Sequence, residues 1–145
     1  MKAWWIFVVG GVTAAAAACA NPQPDPMPAP ASAQCEPGDS ALVRDVIYFG
    51  RNRPDGGIVA DGEWQAFLDE VVTPRFPAGL TVVSGAGQWR GESGVVVRER
   101  AEVLTVLHAG DETSRRAVAE ITGDYRRRFS QEAVLRERVP TCARF

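Results

Sequence analysis

Residues 80–108, LTVVSGAGQWRGESGVVVRERAEVLTVLH, decide the fold. Branched and aromatic residues dominate two segments, Leu80 to Trp89 and Val95 to His108, and the residues between them, Arg90 to Gly94, include two glycines. Two such segments joined by a short glycine-containing loop are typical of a β-hairpin. The sequence therefore predicts an antiparallel strand pair in the middle of this part of the chain.

A helix is predicted on each side of this hairpin. The first begins with Asp61 as N-cap and ends before Pro74, and the second begins at Asp111 or Thr113. Apolar residues recur in both at the spacing of one buried helical face. In the first helix they are Trp64, Phe67, Leu68, Val71 and Val72, and in the second they are Val118, Ile121, Tyr125 and Phe129.

Two outer strands complete the pattern, from Ala41 to Phe49 and from Ala133 to Val139. The order βαββαβ is that of the ferredoxin-like α+β sandwich, a four-stranded antiparallel sheet with two helices on one face. In this arrangement the first and last strands lie side by side and antiparallel. The start of one strand therefore meets the end of the other at the same edge of the sheet.

Cys35 and Cys142 lie just outside these two strand ends. In an oxidising compartment this pair is expected to form a disulfide bond, and the alternative is two free buried thiols. A bond that closes a loop of about 100 residues would stabilise the fold by roughly 4 to 5 kcal/mol in the chain-entropy description.

The N-terminus has the three parts of a signal peptide. Met1-Lys2 carries the positive charge, Trp4 to Val12 is apolar, and Ala14 to Ala18 is a run of small residues that ends at Cys19. This run resembles the bacterial lipobox, although Ala16 stands where that pattern prefers Leu. The alternative is ordinary cleavage after an Ala-x-Ala site.

The lipobox resemblance implies that residues 1–18 are removed and that Cys19 carries the lipid that anchors the chain to a membrane. Ala20, at the position where Asp favours the inner membrane, suggests the periplasmic face of the outer membrane. Residues 19–34 are Pro-rich and predict an extended tether of about 3.1 Å per residue. One α+β domain, residues 35–145, follows. The formal net charge of −2 does not suggest a nucleic-acid partner.

A set of polar and aromatic residues around the hairpin and the last turn forms the candidate ligand-binding site. Its members are Tyr48, Arg51, Gln88, Trp89, Arg90, Glu99, Gln131, Glu132 and Arg136. Glu99 and Glu132 are candidates for a general acid and base, or they pair with Arg90 and Arg136 in structural ion pairs. No catalytic residue can be assigned from these residue types alone.

Other motifs do not fit established chemistries. Gly85-Ala86-Gly87 with Gly91 has the wrong spacing for a dinucleotide loop and precedes a strand. Gly38-Asp39-Ser40 lies ahead of the first strand, and His108 has no context of a catalytic triad. His108 is instead expected at a strand end with a satisfied ring. With one histidine and two paired cysteines we expect no metal and no cofactor.

Five segments together resemble the bacterial family called domain of unknown function 3574. They are YFG (48–50), RPDGG (53–57), VTPRFP (72–77), GQWRG (87–91) and RFSQEAVLR (128–136). The resemblance covers nearly the whole domain. It implies membership of the family but no established activity and no catalytic residue.

Two classes of function remain open. The first is an exported binding or interaction module, and the alternative is a small periplasmic enzyme of the dimeric α+β barrel type that uses Glu99 or Glu132 as acid or base. Carboxylates that line a pocket away from arginine would favour the enzyme. Carboxylates held bidentately by arginine would favour binding or structure.

The two central strands are apolar in both phases of the strand repeat, at Val46 to Phe49 and at Val103 to Leu107. A sheet with one face in water alternates apolar and polar residues, so both faces of this sheet are expected to be covered. An identical subunit is the first expectation for the second cover, ahead of an apolar ligand or the chain's own loops.

Overall fold

The computed structural model describes residues 35–145, and the predicted signal peptide, Cys19 and the tether lie outside these residues. The elements are strands β1 (Ser40–Gly50), β2 (Thr81–Arg90), β3 (Val96–His108) and β4 (Leu135–Ala143), and helices α1 (Asp61–Phe67) and α2 (Glu112–Phe129). Helix α1 continues into a π-helical segment, Leu68–Val72. The sheet has the order β2-β3-β1-β4, and every neighbouring pair is antiparallel. The predicted ferredoxin-like βαββαβ fold is confirmed.

The helices cover one face of this sheet, which we call the helix face. Along β1, Asp45, Ile47 and Phe49 are buried there, while the residues between them point to the opposite, open face. The helices contribute the predicted stripes: Trp64, Phe67, Leu68, Val72, Val118, Ile121, Tyr125 and Phe129 are all buried, and Val71 packs against them half-buried. The inward residues of the strands and the apolar stripes of the helices thus form one core.

Aromatic rings form the centre of that core. The rings of Phe49 and Tyr125 lie 4.6 Å apart, and Phe67 contacts both of them. The hydroxyl of Tyr125 donates a hydrogen bond of 2.9 Å to the carbonyl of Gly50. Burial raises the pKa of this phenol well above its usual value. Tyr125 thus links helix α2 to the last residue of β1.

The N-cap of α1 and the start of β4 differ from the predictions, whereas the N-cap of α2 is one of the two predicted residues. The N-cap of α1 is Ala60 instead of Asp61, and the Glu63 carboxylate accepts the Ala60 N–H. The cap of α2 is Asp111, whose carboxylate accepts the Ser114 N–H. Strand β4 begins two residues later than predicted and runs through Pro140 to Ala143. Pro140 is tolerated because β4 is an edge strand, where one side needs no backbone donor.

The predicted disulfide bond between Cys35 and Cys142 is present, with the two Cα atoms 5.5 Å apart. Cys142 pairs with Ala41 in the register of β1 and β4, so the bond lies at the start of β1 and the end of β4. This is the edge at which the predicted fold brings the two cysteines together. Within residues 35–145, no helix is long and apolar enough to cross a membrane.

Candidate functional site

The open face of the sheet carries a cavity of about 210 Å³ at the end where β1 finishes and β4 begins. Its lining combines small, aromatic, apolar and polar residues: Tyr48, Gly50, Gly87, Gln88, Trp89, Glu99, Ala101, Gln131, Ala133 and Leu135. The predicted candidates Tyr48, Gln88, Trp89 and Glu99 therefore lie around one cavity, together with Gln131.

The depression arises from small residues on three neighbouring strands. Gly50 in β1 is opposite Ala101 in β3, and Gly87 in β2 is opposite Glu99, one row further along β3 on the same face. Gly50, Ala101 and Gly87 line the cavity, and none of them has a side chain larger than a methyl group. Tyr48 lies one row before Gly50 and Trp89 one row beyond Gly87, so large rings border a shallow floor.

Glu99 supplies the carboxylate of the cavity. Its Oε2 accepts the backbone N–H of Asn52 at 2.9 Å. A Cβ atom at position 50 would lie 2.5 Å from this oxygen, so a larger residue there would have to displace the carboxylate of Glu99. Among the ion pairs of residues 35–145, none includes Glu99. No arginine among the described residues therefore lies at ion-pair distance from the Glu99 carboxylate.

Two further polar groups border the cavity. The hydroxyl of Tyr48 donates to Glu137 Oε1 at 3.0 Å, and this hydrogen bond raises the pKa of the phenol. The Gln131 Nε2 donates to the carbonyls of Asn52 and Phe129, at 2.7 and 3.2 Å. Because the nitrogen of Gln131 is engaged, the group that this amide can offer to a ligand is its Oε1, an acceptor.

Arg51, a predicted ligand-binding residue, is instead buried on the helix face. Its guanidinium donates to Glu102 Oε1 at 2.5 Å, to Asp61 Oδ1 at 2.7 Å and to the carbonyl of Val59 at 2.7 Å. Ser84 donates to the other oxygen of Glu102 at 2.6 Å. Arg51 therefore fixes the end of β1 and the start of α1. The assignment was wrong because Arg51 follows the inward phase of β1.

Glu102 was missed by the sequence predictions. It shares the strand phase of the buried residues Leu104 and Val106. A carboxylate in that phase indicates a buried partner of opposite charge, because an unpaired ion is costly to bury. That signal was present in the sequence, although the identity of Arg51 as the partner was not.

Arg136 also lies on the helix face, where it binds Asp45 through two hydrogen bonds of 2.9 and 2.8 Å. The His108 Nε2 lies 2.7 Å from Asp45 Oδ2, while its Nδ1 accepts the N–H of Gly110, so Nε2 carries the proton and donates. The satisfied ring predicted for His108 is thus present. Burial alone would raise the pKa of Asp45, but the hydrogen bonds from Arg136 and His108 hold it below its usual value.

The remaining two candidates lie near the tip of the hairpin. Glu132 Oε1 accepts the backbone N–H of Glu92 at 2.9 Å and so ties the hairpin turn to the loop before β4. Arg90, the last residue of β2, is exposed. The ion-pair alternative for Glu99 and Glu132 was wrong, because Arg136 pairs with Asp45 and both glutamates accept backbone N–H groups. Among residues 35–145, no group of three or more His, Cys, Asp or Glu side chains is arranged to hold a metal ion.

Comparison with models of protein families shows to which family the chain belongs. The family model described as protein of unknown function (DUF3574) matches residues 44–145. The chain belongs to the DUF3574 family. The match includes every residue that lines the cavity of this DUF3574 domain. Among proteins of curated function, none matches the chain significantly.

Solved structures resemble the DUF3574 domain at low sequence identity. A phage SAM lyase in complex with S-methyl-5'-thioadenosine is 16% identical, with a TM-score of 0.54, and the match covers 78% of this chain and 95% of the lyase. The apo form is 17% identical with a TM-score of 0.54, covering 69% and 81%. CutA from Synechococcus elongatus is 9% identical with a TM-score of 0.46, covering 71% and 80%.

Proposed function

We propose that this chain is an exported, lipid-anchored envelope protein whose DUF3574 domain binds a small molecule in the cavity of the open face. The observation that carries the proposal is a carboxylate without an arginine partner, Glu99, beside the rings of Tyr48 and Trp89. Ligand sites typically combine mostly apolar walls with a few placed polar groups. The N-terminal pattern before Cys19 and the disulfide bond support export to an oxidising compartment.

The lining indicates the chemistry of the ligand. Glu99 and the Oε1 of Gln131 are acceptors, so the ligand offers N–H donors or a positive charge. The rings of Tyr48 and Trp89 offer faces for a planar or apolar part, and aromatic faces also attract cations. We therefore infer a small molecule in which a cationic or N–H-bearing group lies beside a planar or apolar part.

S-adenosylmethionine and S-adenosylhomocysteine form a matched pair of probes, because they differ by one methyl group and its positive charge on sulfur. S-methyl-5'-thioadenosine, present in the phage enzyme of the same fold, completes the panel. Binding is measured by thermal shift and by titration calorimetry. The chain is produced by export with Cys19→Ser, so that it carries no lipid.

For any probe that binds, Glu99→Gln is expected to weaken binding at least about tenfold, which corresponds to the loss of roughly 1.4 kcal/mol from a charge-assisted contact. Gln keeps an acceptor for the Asn52 N–H, so the backbone contact is preserved. Glu132→Gln is the control, because Glu132 also accepts a backbone N–H but does not line the cavity. Equal loss in both variants, or loss in neither, would place binding elsewhere.

The second candidate function is a small periplasmic enzyme that uses Glu99 as general acid or base. The same observation favours it, since a carboxylate without a cationic partner is free to exchange a proton with a bound molecule. The panel is incubated with the protein and the products are followed by mass spectrometry. Turnover that Glu99→Gln abolishes while binding persists would identify an enzyme. Binding without turnover supports the binding module.

The anchor has its own test. Radiolabelled palmitate is expected to enter the chain and to be lost in Cys19→Ser, because this thiol is the attachment point that the lipobox resemblance implies. Membrane fractionation of the labelled protein tests the outer membrane as its location. Equal labelling of both chains would refute lipidation at Cys19 but would leave the ligand proposal intact.

A further inference from the structure

We propose that a second copy of this chain covers the open face of the sheet and thereby closes the cavity. The inference that two copies associate depends only on the composition, size and charge of the open face. The closure of a ligand site rests on the function proposed above.

The open face exposes apolar side chains on three of its four strands, β2, β3 and β4. Val83 in β2 is 59% exposed and Leu135 in β4 is 60% exposed, and Leu107 and Val139 are also exposed. Val46 and Val103 lie between them, half-buried. Soluble monomers rarely leave an apolar patch of this extent in water. The face therefore has the composition of an interface.

The size of the face suits a stable association. Four strands spaced by about 4.8 Å, over roughly nine residues of about 3.3 Å each, present on the order of 600 Å². A standard interface buries about 800 Å² on each partner, and side-chain relief enlarges the accessible area of a sheet face beyond its flat outline.

The charges of the open face favour a copy of the same chain. The strands place Arg44, Glu99 and Glu137 on this face, and Arg44 and Glu137 lie in adjacent rows of β1 and β4. A two-fold axis that lies in the plane between two such faces and runs midway between these two residues brings the arginine of each copy towards the glutamate of the other, which makes the surface self-complementary.

The chain's own N-terminal segment is a poor cover for this face. Residues 19–34 are dominated by proline, alanine and polar residues, and Met27 is their only large apolar side chain. Such a segment cannot bury the side chains of four strands. A second sheet can, because it presents the same apolar rows.

The cavity lies within this face, so a second sheet over it narrows its mouth and removes water from around Glu99. A charge interacts more strongly with a bound cation where the surroundings exclude water. The partner copy would thus supply the missing wall of the site, and two equivalent sites would form for each pair of chains.

The first test is the mass in solution of the exported chain carrying Cys19→Ser, measured by light scattering and sedimentation from low to high micromolar concentration. A dimer or a larger closed oligomer is the expected result. Val83→Glu and Leu107→Glu place a carboxylate on the open face outside the cavity and are expected to give monomers. Ala119→Glu adds the same charge on the exposed side of α2 and should keep the wild-type mass.

A wild-type chain that is monomeric at high micromolar concentration overturns the proposal. So does an oligomer whose mass neither Val83→Glu nor Leu107→Glu changes, because it would use another surface. Circular dichroism identifies a variant that fails to fold. In that case, disulfide cross-linking is compared between Leu107→Cys on the open face and Ala119→Cys on α2. Cross-linking of Leu107→Cys alone supports the proposed interface, and its absence shows that another surface is used.

Binding of the panel probes then separates the two proposals. Monomeric Leu107→Glu is expected to bind about tenfold more weakly than the wild type, since its cavity stays open to water. If Leu107→Glu and the wild type bind a probe with equal affinity, the second copy does not close the ligand site. A wild-type oligomer that binds no probe supports the interface and contradicts the proposed function.

Discussion

The two faces of the sheet are formed by the same strands, but their polar side chains differ in how they are paired. On the helix face, Arg51, Glu102, Asp45 and His108 are buried and each has a partner of opposite charge or a hydrogen-bond acceptor. On the open face, Glu99 accepts one backbone N–H and faces a cavity. Residues one position apart in a strand thus serve the stability of the fold and a candidate site, respectively. Substitutions on the helix face should therefore mainly lower the free energy of unfolding, whereas substitutions on the open face should mainly weaken ligand binding.

The largest loss of stability is expected from Arg51→Leu. This change leaves Glu102 buried without its cation, which destabilises a protein by about 3 to 5 kcal/mol. Urea unfolding followed by circular dichroism measures the effect. Arg90→Leu, at an exposed position, is the control and should change the free energy of unfolding by less than about 0.5 kcal/mol. Similar losses in both variants would show that the Arg51 cluster is not structural.

A smaller, pH-dependent loss is expected at Asp45. Because its pKa is lowered in the folded state, its contribution is present above the unfolded pKa, about 3.9, and is lost as the pH falls through the folded pKa. Asp45→Asn should therefore be less stable than the wild type at pH 7 by about 1 to 3 kcal/mol. The difference should shrink below pH 4. A constant difference from pH 7 to pH 3 would contradict this account.

Gly50→Ala tests the point where the two faces meet. The added methyl group displaces the Glu99 carboxylate from the Asn52 N–H, at a cost of about 1 kcal/mol in stability. Binding of any panel ligand should fall with it, since the carboxylate leaves its position. Gly85→Ala is the comparison, because a Cβ atom there meets no neighbour within 4 Å. Calorimetry and urea unfolding of both variants measure the two effects. Unchanged binding in Gly50→Ala would remove Glu99 from the site.

The smallest change in stability is expected from Glu99→Gln, below about 0.5 kcal/mol, because the amide oxygen still accepts the Asn52 N–H. The variant that least affects folding is then the one that most affects binding. A loss of more than about 2 kcal/mol in urea unfolding would instead make Glu99 a structural residue of the same kind as Glu102.

The order of elements could be predicted because local periodicity determines it. The stripes of α2 and the phase of β1 are visible within windows of about ten residues, and the disulfide bond follows from the fold they imply. The start of β4 could not be predicted from local periodicity. Ala133 and Val134 have the composition of a strand, but the chain leaves α2 through Ser130 in a left-handed conformation and pairs only from Leu135.

The site could be predicted only in part. Tyr48, Trp89 and Glu99 line the cavity, but its floor depends on the register that brings Gly50, Ala101 and Gly87 together. Register follows from the packing of whole strands, and no local pattern records it. The partners of Arg51 and Arg136 are 51 and 91 residues away, respectively, in Glu102 and Asp45, so composition showed their charges but not their pairing.

The disulfide bond between Cys35 and Cys142 also determines how the domain carries a mechanical load. Cys35 is the first residue that the structure describes, and the bond joins it to a residue 107 positions further along the chain. A pull between Cys35 and the C-terminus therefore passes from Cys35 directly to Cys142. The chain between them, which would extend to on the order of 350 Å, bears no tension while the bond is intact. If the chain is anchored as proposed, force on the anchor can reorient the domain but cannot extend the chain between these two cysteines.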